Sequence, residues 1–433
     1  MRTIILSKKE TPDCVEILIP PSKSHTMRAI LLAVFSNSNS EIHNYLDAND
    51  TMDLIIALKK IGVGVEVCKS KIIVKGIGRD FSFLRSAEIN AGNSGQILRF
   101  LSALLSLSAN EYIITGDSSV CNNRPVKDLI SAFHRMGVTI KYLQKQDHPP
   151  FFLKGPLKPG VVTIEGQDSQ PVSALLMASV FLEGTTIIHV NNPGEKPWVE
   201  LTLNWLRNLG AHIKVNNYHT YTVNGPISYD GFFYSVPGDF SSAAFPAIAS
   251  IITKKSTILS NLDMADVQGD KRLFYELIRL GANIEIDQEN KKVFIYPSES
   301  LSGGSIDVND FIDAVPVLAV LGCFTKTKLE LVNCSIAKKK ESNRLEAISK
   351  ELEKMGAKIK YFDDKLVIWP SDLYGAKLNS RKDHRIAMAL SVAALSTKKG
   401  KTIIEDVDCV NKSYPNFFDN IIKFGANIEW VTT

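Results

Sequence analysis

Paired cysteines are missing from this sequence. Its six cysteines, at positions 14, 68, 121, 323, 334 and 409, are scattered, with no CxxC pair and no Cys/His cluster at zinc spacing. In a chain of 433 residues this excludes a disulfide scaffold and favours free thiols in a reducing compartment. Long apolar runs are missing too: the longest, such as residues 314–324, fall far short of the ~20 residues that a membrane span needs. Only a short apolar run precedes Ser-Lys-Lys-Glu at positions 7–10, so no signal peptide is expected and the location reads as cytoplasmic. Charge of one sign is scarce. Fifty basic residues against 46 acidic ones leave +4, too little to argue for nucleic acid, so any anion recognition has to be local. There is no P-loop, GxGxxG, GxSxG or HExxH, and the eight histidines show no metal spacing. Neither a cofactor nor a metal is expected.

What is present is repetition. An amphipathic helix pattern, a glycine and a short alternating strand recur as LIIALKKIGVGVEV, LISAFHRMGVTIKY, LTLNWLRNLGAHIKV, LFYELIRLGANIEI, ISKELEKMGAKIKY and FFDNIIKFGANIEW. The glycines, at 62, 137, 210, 281, 356 and 425, are 75, 73, 71, 75 and 69 residues apart. Helical spacing followed by glycine predicts a helix with a left-handed stop, and the alternation after it predicts a half-buried strand. Six matches at near-constant spacing are not accidental.

A second series lies between them, in which polar starts lead into helices apolar nearly all round: SKSHTMRAILLAVF, GNSGQILRFLSALLSL, DSQPVSALLMASVFL, GDFSSAAFPAIASII, DFIDAVPVLAVLGCF and KDHRIAMALSVAALS. Ser24, Gly95, Gln170, Ser242, Asp313 and Arg385 mark it at spacings of 71, 75, 72, 71 and 72. These helices should be interior and the amphipathic ones partly outside. The expected fold class is therefore α/β, with two similar domains of three repeated modules each. The chain should cross between them near Pro20-Pro21 and Val236-Pro237-Gly238-Asp239, giving domains 21–237 and 1–20 with 238–433.

Interior helices leave only their N-termini for chemistry, where unpaired N–H groups and the dipole favour anions. Here those starts carry cations: Lys23, Arg28, Arg99 and Arg385, with Arg124, Lys340, Arg344 and Lys412 on the amphipathic series. Basic residues there call for a compensating anion. Any one alone reads as surface charge, but recurrence across modules points to a ligand with several phosphate and carboxylate groups. Asp313 and Glu341 are interleaved with them. Asp313 could be a helix cap and Glu341 an i,i+3 partner of Arg344; in a cationic, partly dry pocket, either acid could instead act as general base with a lysine returning the proton.

PSKSHTMR, DANDT, GNSG followed by Arg99, RPV, DSQ followed by SALLM, KPW, GDFSSAAF, FIDA, KKKESNRL, DHRIAMA and NKSYPNFF follow one another in the order seen in 5-enolpyruvylshikimate-3-phosphate synthases. The chain resembles that enolpyruvyl transferase family over essentially its whole length. The resemblance implies an inside-out barrel in each of two domains closing over a cleft that holds the active site. It implies transfer of the carboxyvinyl group of phosphoenolpyruvate to the 5-hydroxyl of shikimate 3-phosphate, in the pathway to chorismate and the aromatic amino acids. The route is addition and elimination through a tetrahedral ketal phosphate, by a monomer without a metal. Carried over by motif, Lys23, Asp313 and Glu341 are catalytic: Asp313 accepts the hydroxyl proton, while Lys23 and Glu341 act at the methylene carbon. Lys23, Ser24, Arg28, Ser169, Gln170, Asp313 and Lys340 hold shikimate 3-phosphate, in the domain 21–237 for the most part. Lys23, Gly95, Arg124, Gln170, Lys340, Arg344, Arg385 and Lys412 hold phosphoenolpyruvate.

The pattern departs from the commoner one at several positions. Asp168 and Glu195 stand where serines are usual, Trp198 replaces Tyr, Gln96 replaces Thr and Phe100 replaces Pro. Two acids near a phosphate would repel it unless they point away or share a cation. The rival readings are the sister UDP-N-acetylglucosamine enolpyruvyl transferase, suggested by Cys121 three residues before Arg124, and a non-catalytic anion-binding module. The motifs around Lys23, Gly95, Lys340 and Arg385 favour the shikimate family. A scaffold has no need of acids set among bases.

Overall fold

The computed structural model describes residues 2–9, 13–299 and 301–432. Each amphipathic stretch is a helix that buries one face and ends on a glycine at positive φ. Asn49–Lys60 is representative: Leu54, Ile55 and Leu58 are buried, and Lys59 and Lys60 lie in the last turn, where cations suit the dipole. The six stops, Gly62, Gly137, Gly210, Gly281, Gly356 and Gly425, have φ between 89° and 104°, a region that a side chain would strain.

The apolar series forms the interior helices Lys23–Val34, Ser169–Ser179, Phe240–Thr253 and His384–Ala394, each buried along nearly its whole length. A short oxygen side chain caps each of them, Ser22, Asp168, Asp239 and Asp383 respectively, satisfying N–H groups that the helix leaves open. The other two members are less regular than the spacing predicts. Gly95 leads into a π-helical turn, Ile97–Leu101, before the short α-helix Ser102–Leu105. Asp313 sits in a 3-10 segment, Asn309–Ala314, ahead of Val315–Gly322, whose Pro316 lacks the N–H that a longer helix would need.

Among the described residues the strands form six four-stranded sheets, each with one parallel pair and two antiparallel pairs. Burial alternates along them, as in Glu111–Thr115, where Tyr112 and Ile114 face the core.

Two compact units result: Ser22–Val236, and Met1–Pro21 with Pro237–Thr433. Each has its own hydrophobic core. Strand Arg2–Lys8 lies between Thr402–Glu405 and Ala426–Thr432 in the discontinuous unit. Cys14–Leu18 pairs there with Ser256–Ser260, and Phe233–Ser235 pairs with Ser40–His43 in the other unit. At the crossing, Pro21 bridges Gly238 and the Asp239 N–H donates to the Pro20 carbonyl at 2.9 Å. Among the described residues no helix is long and apolar enough to cross a membrane.

Candidate active site

In the unit Ser22–Val236, six of the expected residues lie at or near the starts of its interior helices, and Arg124, from the turn before helix Lys127–Arg135, reaches Gly95 among them. Lys23 opens the first one, and its Nζ lies 3.4 Å from the buried Asp50 carboxylate of the neighbouring amphipathic helix. Ser24 Oγ accepts from Gln96 Nε2 at 3.1 Å. Gly95 faces Arg124, Arg99 and Gln170, and Arg99 donates to Gln170 Oε1 at 3.1 Å.

Arg28 is fully buried and, among the described residues, has no carboxylate in its hydrogen-bond acceptors, which are Thr202 Oγ1, Ser24 O and Trp198 O at 3.0, 3.1 and 3.4 Å. Its guanidinium lies over the Phe100 ring, 4.9 Å from the centroid. Burial pulls its pKa down to about 9. The compensating anion that the sequence calls for is here a set of neutral dipoles.

The two unusual acids are held by the start of helix Ser169–Ser179. Asp168 Oδ1 accepts from the Gln170 N–H at 3.0 Å and Oδ2 lies 3.4 Å from Arg99. Glu195 Oε2 accepts from both the N–H and the hydroxyl of Ser169, at 3.0 and 3.1 Å. Both carboxylates thus complement the helix dipole instead of pointing away, and Asp168 does so beside a cation.

In the discontinuous unit five of the other six expected residues, Asp313, Glu341, Arg344, Arg385 and Lys412, form one ionic network with Asp383, while Lys340 acts on Asp313 through its charge. Arg344 Nη1 donates to Asp313 Oδ1 at 2.7 Å, Nη2 to Glu341 Oε2 at 2.8 Å and Nε to Asp383 Oδ2 at 2.9 Å. Arg385 Nη2 donates to Asp313 Oδ2 at 3.0 Å, and Lys412 Nζ to Glu341 Oε1 at 2.6 Å. Arg344 and Arg385 are 1% and 2% exposed, so their charges act with little screening from water. Asp313 is therefore not a helix cap, whereas Glu341 is both the i,i+3 partner of Arg344 and a partner of Lys412. Burial pushes the Asp313 carboxyl up, but Arg385, Arg344 and Lys340 outweigh it and hold the group well below the usual carboxylate range. Burial works against the Arg344 charge, but Asp383, Glu341 and Asp313 more than restore it, leaving its pKa above the ordinary value.

Glu341, Asp383 and His384 bring potential metal-ligand atoms within 4.8 Å of one another. Guanidinium and ammonium groups already occupy the two carboxylates, so a cation there would have to displace Arg344 or Lys412.

Residues 11–421 match the protein family EPSP synthase (3-phosphoshikimate 1-carboxyvinyltransferase). The chain belongs to the EPSP synthase family. Among its relatives, the 3-phosphoshikimate 1-carboxyvinyltransferase of Chlamydia caviae is 42% identical over 429 residues, covering 98% of this chain and 95% of that one. The Chlamydia muridarum enzyme of the same name is 43% identical over 416 residues, 96% and 93% of the two chains. The fold agrees with the structure of EPSP synthase from Acinetobacter baumannii, at a TM-score of 0.82 and 24% identity over the whole of both chains. It also agrees with the enolpyruvyl transferase NikO from Streptomyces tendae, at 0.80 and 18% identity, covering 100% of this chain and 99% of that one. As an EPSP synthase family member the chain is an enzyme of the shikimate pathway, moving the carboxyvinyl group of phosphoenolpyruvate to shikimate 3-phosphate.

For an EPSP synthase, the surroundings of Gly95 carry a prediction. A Cβ there would lie 2.6 Å from Arg124 Nη1 and 2.9 Å from both Arg99 Nη1 and Gln170 Oε1. All three atoms end flexible side chains, so Gly95→Ala should fold normally but displace the two guanidinium donors and the Gln170 amide. We expect KM for phosphoenolpyruvate to rise roughly tenfold, a loss of about 1.4 kcal/mol, with an unchanged melting temperature. Initial rates and a thermal melt check both halves.

Several site residues lay outside the motif-based expectation. Asp50 was visible in DANDT but carries no feature that pairs it with Lys23. Asp383 reads as a cap, and it is one, accepting from the Arg385 N–H at 2.9 Å, yet it also receives Arg344. Ser241, which binds both Nη atoms of Arg385 through its carbonyl and hydroxyl oxygens, lies in GDFSSAAF, but nothing in that motif pairs it with Arg385.

Proposed function

We propose that the transfer runs by addition and elimination, with Asp313 as the base that takes the acceptor's 5-hydroxyl proton. The observation that carries this reading is the Asp313 carboxylate fixed between Arg344 and Arg385. In the addition, the hydroxyl oxygen bonds to C2 of phosphoenolpyruvate as its proton passes to Asp313, while a proton from Lys23 or Glu341 reaches the methylene carbon. The product of that step is a tetrahedral ketal phosphate. In the elimination, the methyl group returns a proton, the bond between C2 and the phosphate oxygen breaks and inorganic phosphate leaves with that oxygen, restoring the double bond. Lys412 at 2.6 Å from Glu341 supports proton exchange at that carboxylate.

The unit Ser22–Val236 supplies most of the shikimate 3-phosphate contacts through Lys23, Ser24, Arg28, Ser169 and Gln170, joined by Asp313 and Lys340. Phosphoenolpyruvate is held by Lys23, Gly95, Arg124, Gln170, Lys340, Arg344, Arg385 and Lys412. Arg385 and Arg344 support this most directly, since an anion can replace Asp313 as their partner. The enzyme works as a monomer in the cytoplasm, a location that six free cysteines support.

Phosphate release from phosphoenolpyruvate should require shikimate 3-phosphate and not occur with UDP-N-acetylglucosamine. Release with the nucleotide sugar alone, or with neither acceptor, would overturn the reading.

A further inference from the structure

Asp270 lies in the 3-10 turn Gly269–Lys271, which packs on the segment carrying Asp313 and on helix Phe240–Thr253. It is 1% exposed, and neither of its side-chain oxygens has a hydrogen-bond partner among the described residues. An ionised carboxylate cannot be kept in that condition without a large desolvation cost, and such a group takes up a proton instead. The charged groups acting on it are Asp313 of the 3-10 segment, Asp239 of the helix cap and Arg385 of helix His384–Ala394, while helix Arg272–Arg279, which also packs on the turn, carries Arg272, Glu276 and Arg279. The remaining neighbours are engaged elsewhere. Arg272 and Asp310 bind each other at 2.7 Å, and Lys271 donates to the Met264 and Asp266 carbonyls. Burial, with Asp313 and Asp239, raises the Asp270 carboxyl well above the usual range against the pull of Arg385.

Arg385 has a matching defect. Its Nη atoms are bound to Ser241 and Asp313, but its Nε is buried with no hydrogen-bond partner among the described residues. A carboxyl group without a donor and a guanidinium N–H without an acceptor therefore share one neighbourhood.

We propose that Asp270 is a positioning residue for Arg385: as the neutral acid it leaves the guanidinium to an incoming anion, and as the carboxylate it takes the guanidinium for itself. This rests on the reading that Arg385 holds phosphoenolpyruvate. Asp270 is neutral on the acid side of its titration and charges as pH rises through it, so donor affinity falls with rising pH. By linkage, bound phosphoenolpyruvate keeps the proton on Asp270.

The test compares the wild type with Asp270→Asn, an isostere of the neutral acid, in kcat and KM for phosphoenolpyruvate between about pH 6 and 9. The ratio of the two KM values cancels the ionisation of the substrate. Wild-type KM should climb relative to the variant, by up to roughly tenfold per pH unit once Asp270 is charged, with kcat of the variant near the wild-type value at the acid end. A constant ratio, or a natively melting variant that has lost turnover, overturns the proposal. A second measurement needs no variant. Calorimetric titration of the wild type with phosphoenolpyruvate at alkaline pH, in two buffers of different ionisation enthalpy, should show uptake of close to one proton, and no uptake overturns it. A wild type that turns over with a constant ratio removes only the role of Asp270. One that neither turns over nor binds phosphoenolpyruvate removes the function proposed above as well.

Discussion

Asp313→Asn should lower turnover by roughly 10²–10⁴-fold, the range that a positioned general base contributes. The amide keeps the shape and one acceptor oxygen, so substrate binding should change far less than kcat. Steady-state rates paired with equilibrium binding of both substrates separate the two effects, and near-normal turnover would exclude Asp313 as the base. The loss also has an electrostatic side. In this arrangement two arginines and Lys340 depress the basicity of Asp313, so the group gains proton affinity only as anionic substrate draws that positive charge onto itself. The variant should therefore lose the step that follows binding of both substrates while still forming the complex that precedes it.

Arg344→Met should be the most destabilising of the changes considered. One guanidinium, 1% exposed, holds Asp313, Glu341 and Asp383 together at 2.7–2.9 Å. Removing one partner of a buried pair leaves uncompensated charge and typically costs about 3–5 kcal/mol. For a unit of this size that is a fall in melting temperature of roughly 6–20 °C. The loss should shrink on acidification, as the stranded carboxylates take up protons. Arg344→Lys should recover only part of the stability, since an ammonium restores the charge but not the fork that reaches three carboxylates at once. A melt of Arg344→Met within 2 °C of the wild type, well under the ~6 °C lower bound, would mean that the network is not a structural element.

Much of the architecture was legible because it is written locally. A glycine stop after an amphipathic helix is decided by a few consecutive residues, so Gly62, Gly137, Gly210, Gly281, Gly356 and Gly425 could be read off the chain, and all six take up positive φ. The interior helices were legible for the same reason, but their caps only in part: Asp383 reads as a cap and is one, Asp313 could be read as a cap and is not, and Asp168 and Asp239 cap without having been singled out for it. Where backbone detail depends on what packs around it, the pattern ran out. The π-helical turn at Ile97–Leu101 and the 3-10 segment at Asn309–Ala314 look like ordinary helix starts in sequence. For the site, the residue types and their order were legible; their partners were not. Arg344 and Asp383 are 39 residues apart, and Lys412 and Glu341 are 71 apart. Such pairings follow from how whole modules stack. Asp270 shows the limit most clearly, because its isolation is a property of the neighbours that fail to reach it.

The crossing at Pro20–Pro21 and Gly238–Asp239 bears on the order in which the protein can be made. Strand Arg2–Lys8 is synthesised before the stretch 22–236, yet both its neighbours, Thr402–Glu405 and Ala426–Thr432, come after it. Cys14–Leu18 likewise waits for Ser256–Ser260. The stretch 22–236, by contrast, contains every strand of its three sheets and can close as soon as it has been translated. Its closure draws together the chain segments on either side, shortening the loop that the early strands must otherwise span. The nascent polypeptide thus carries two unpaired strands while the stretch 22–236 is being made, and the discontinuous unit completes the sheet of Arg2–Lys8 only once Ala426–Thr432 has been made.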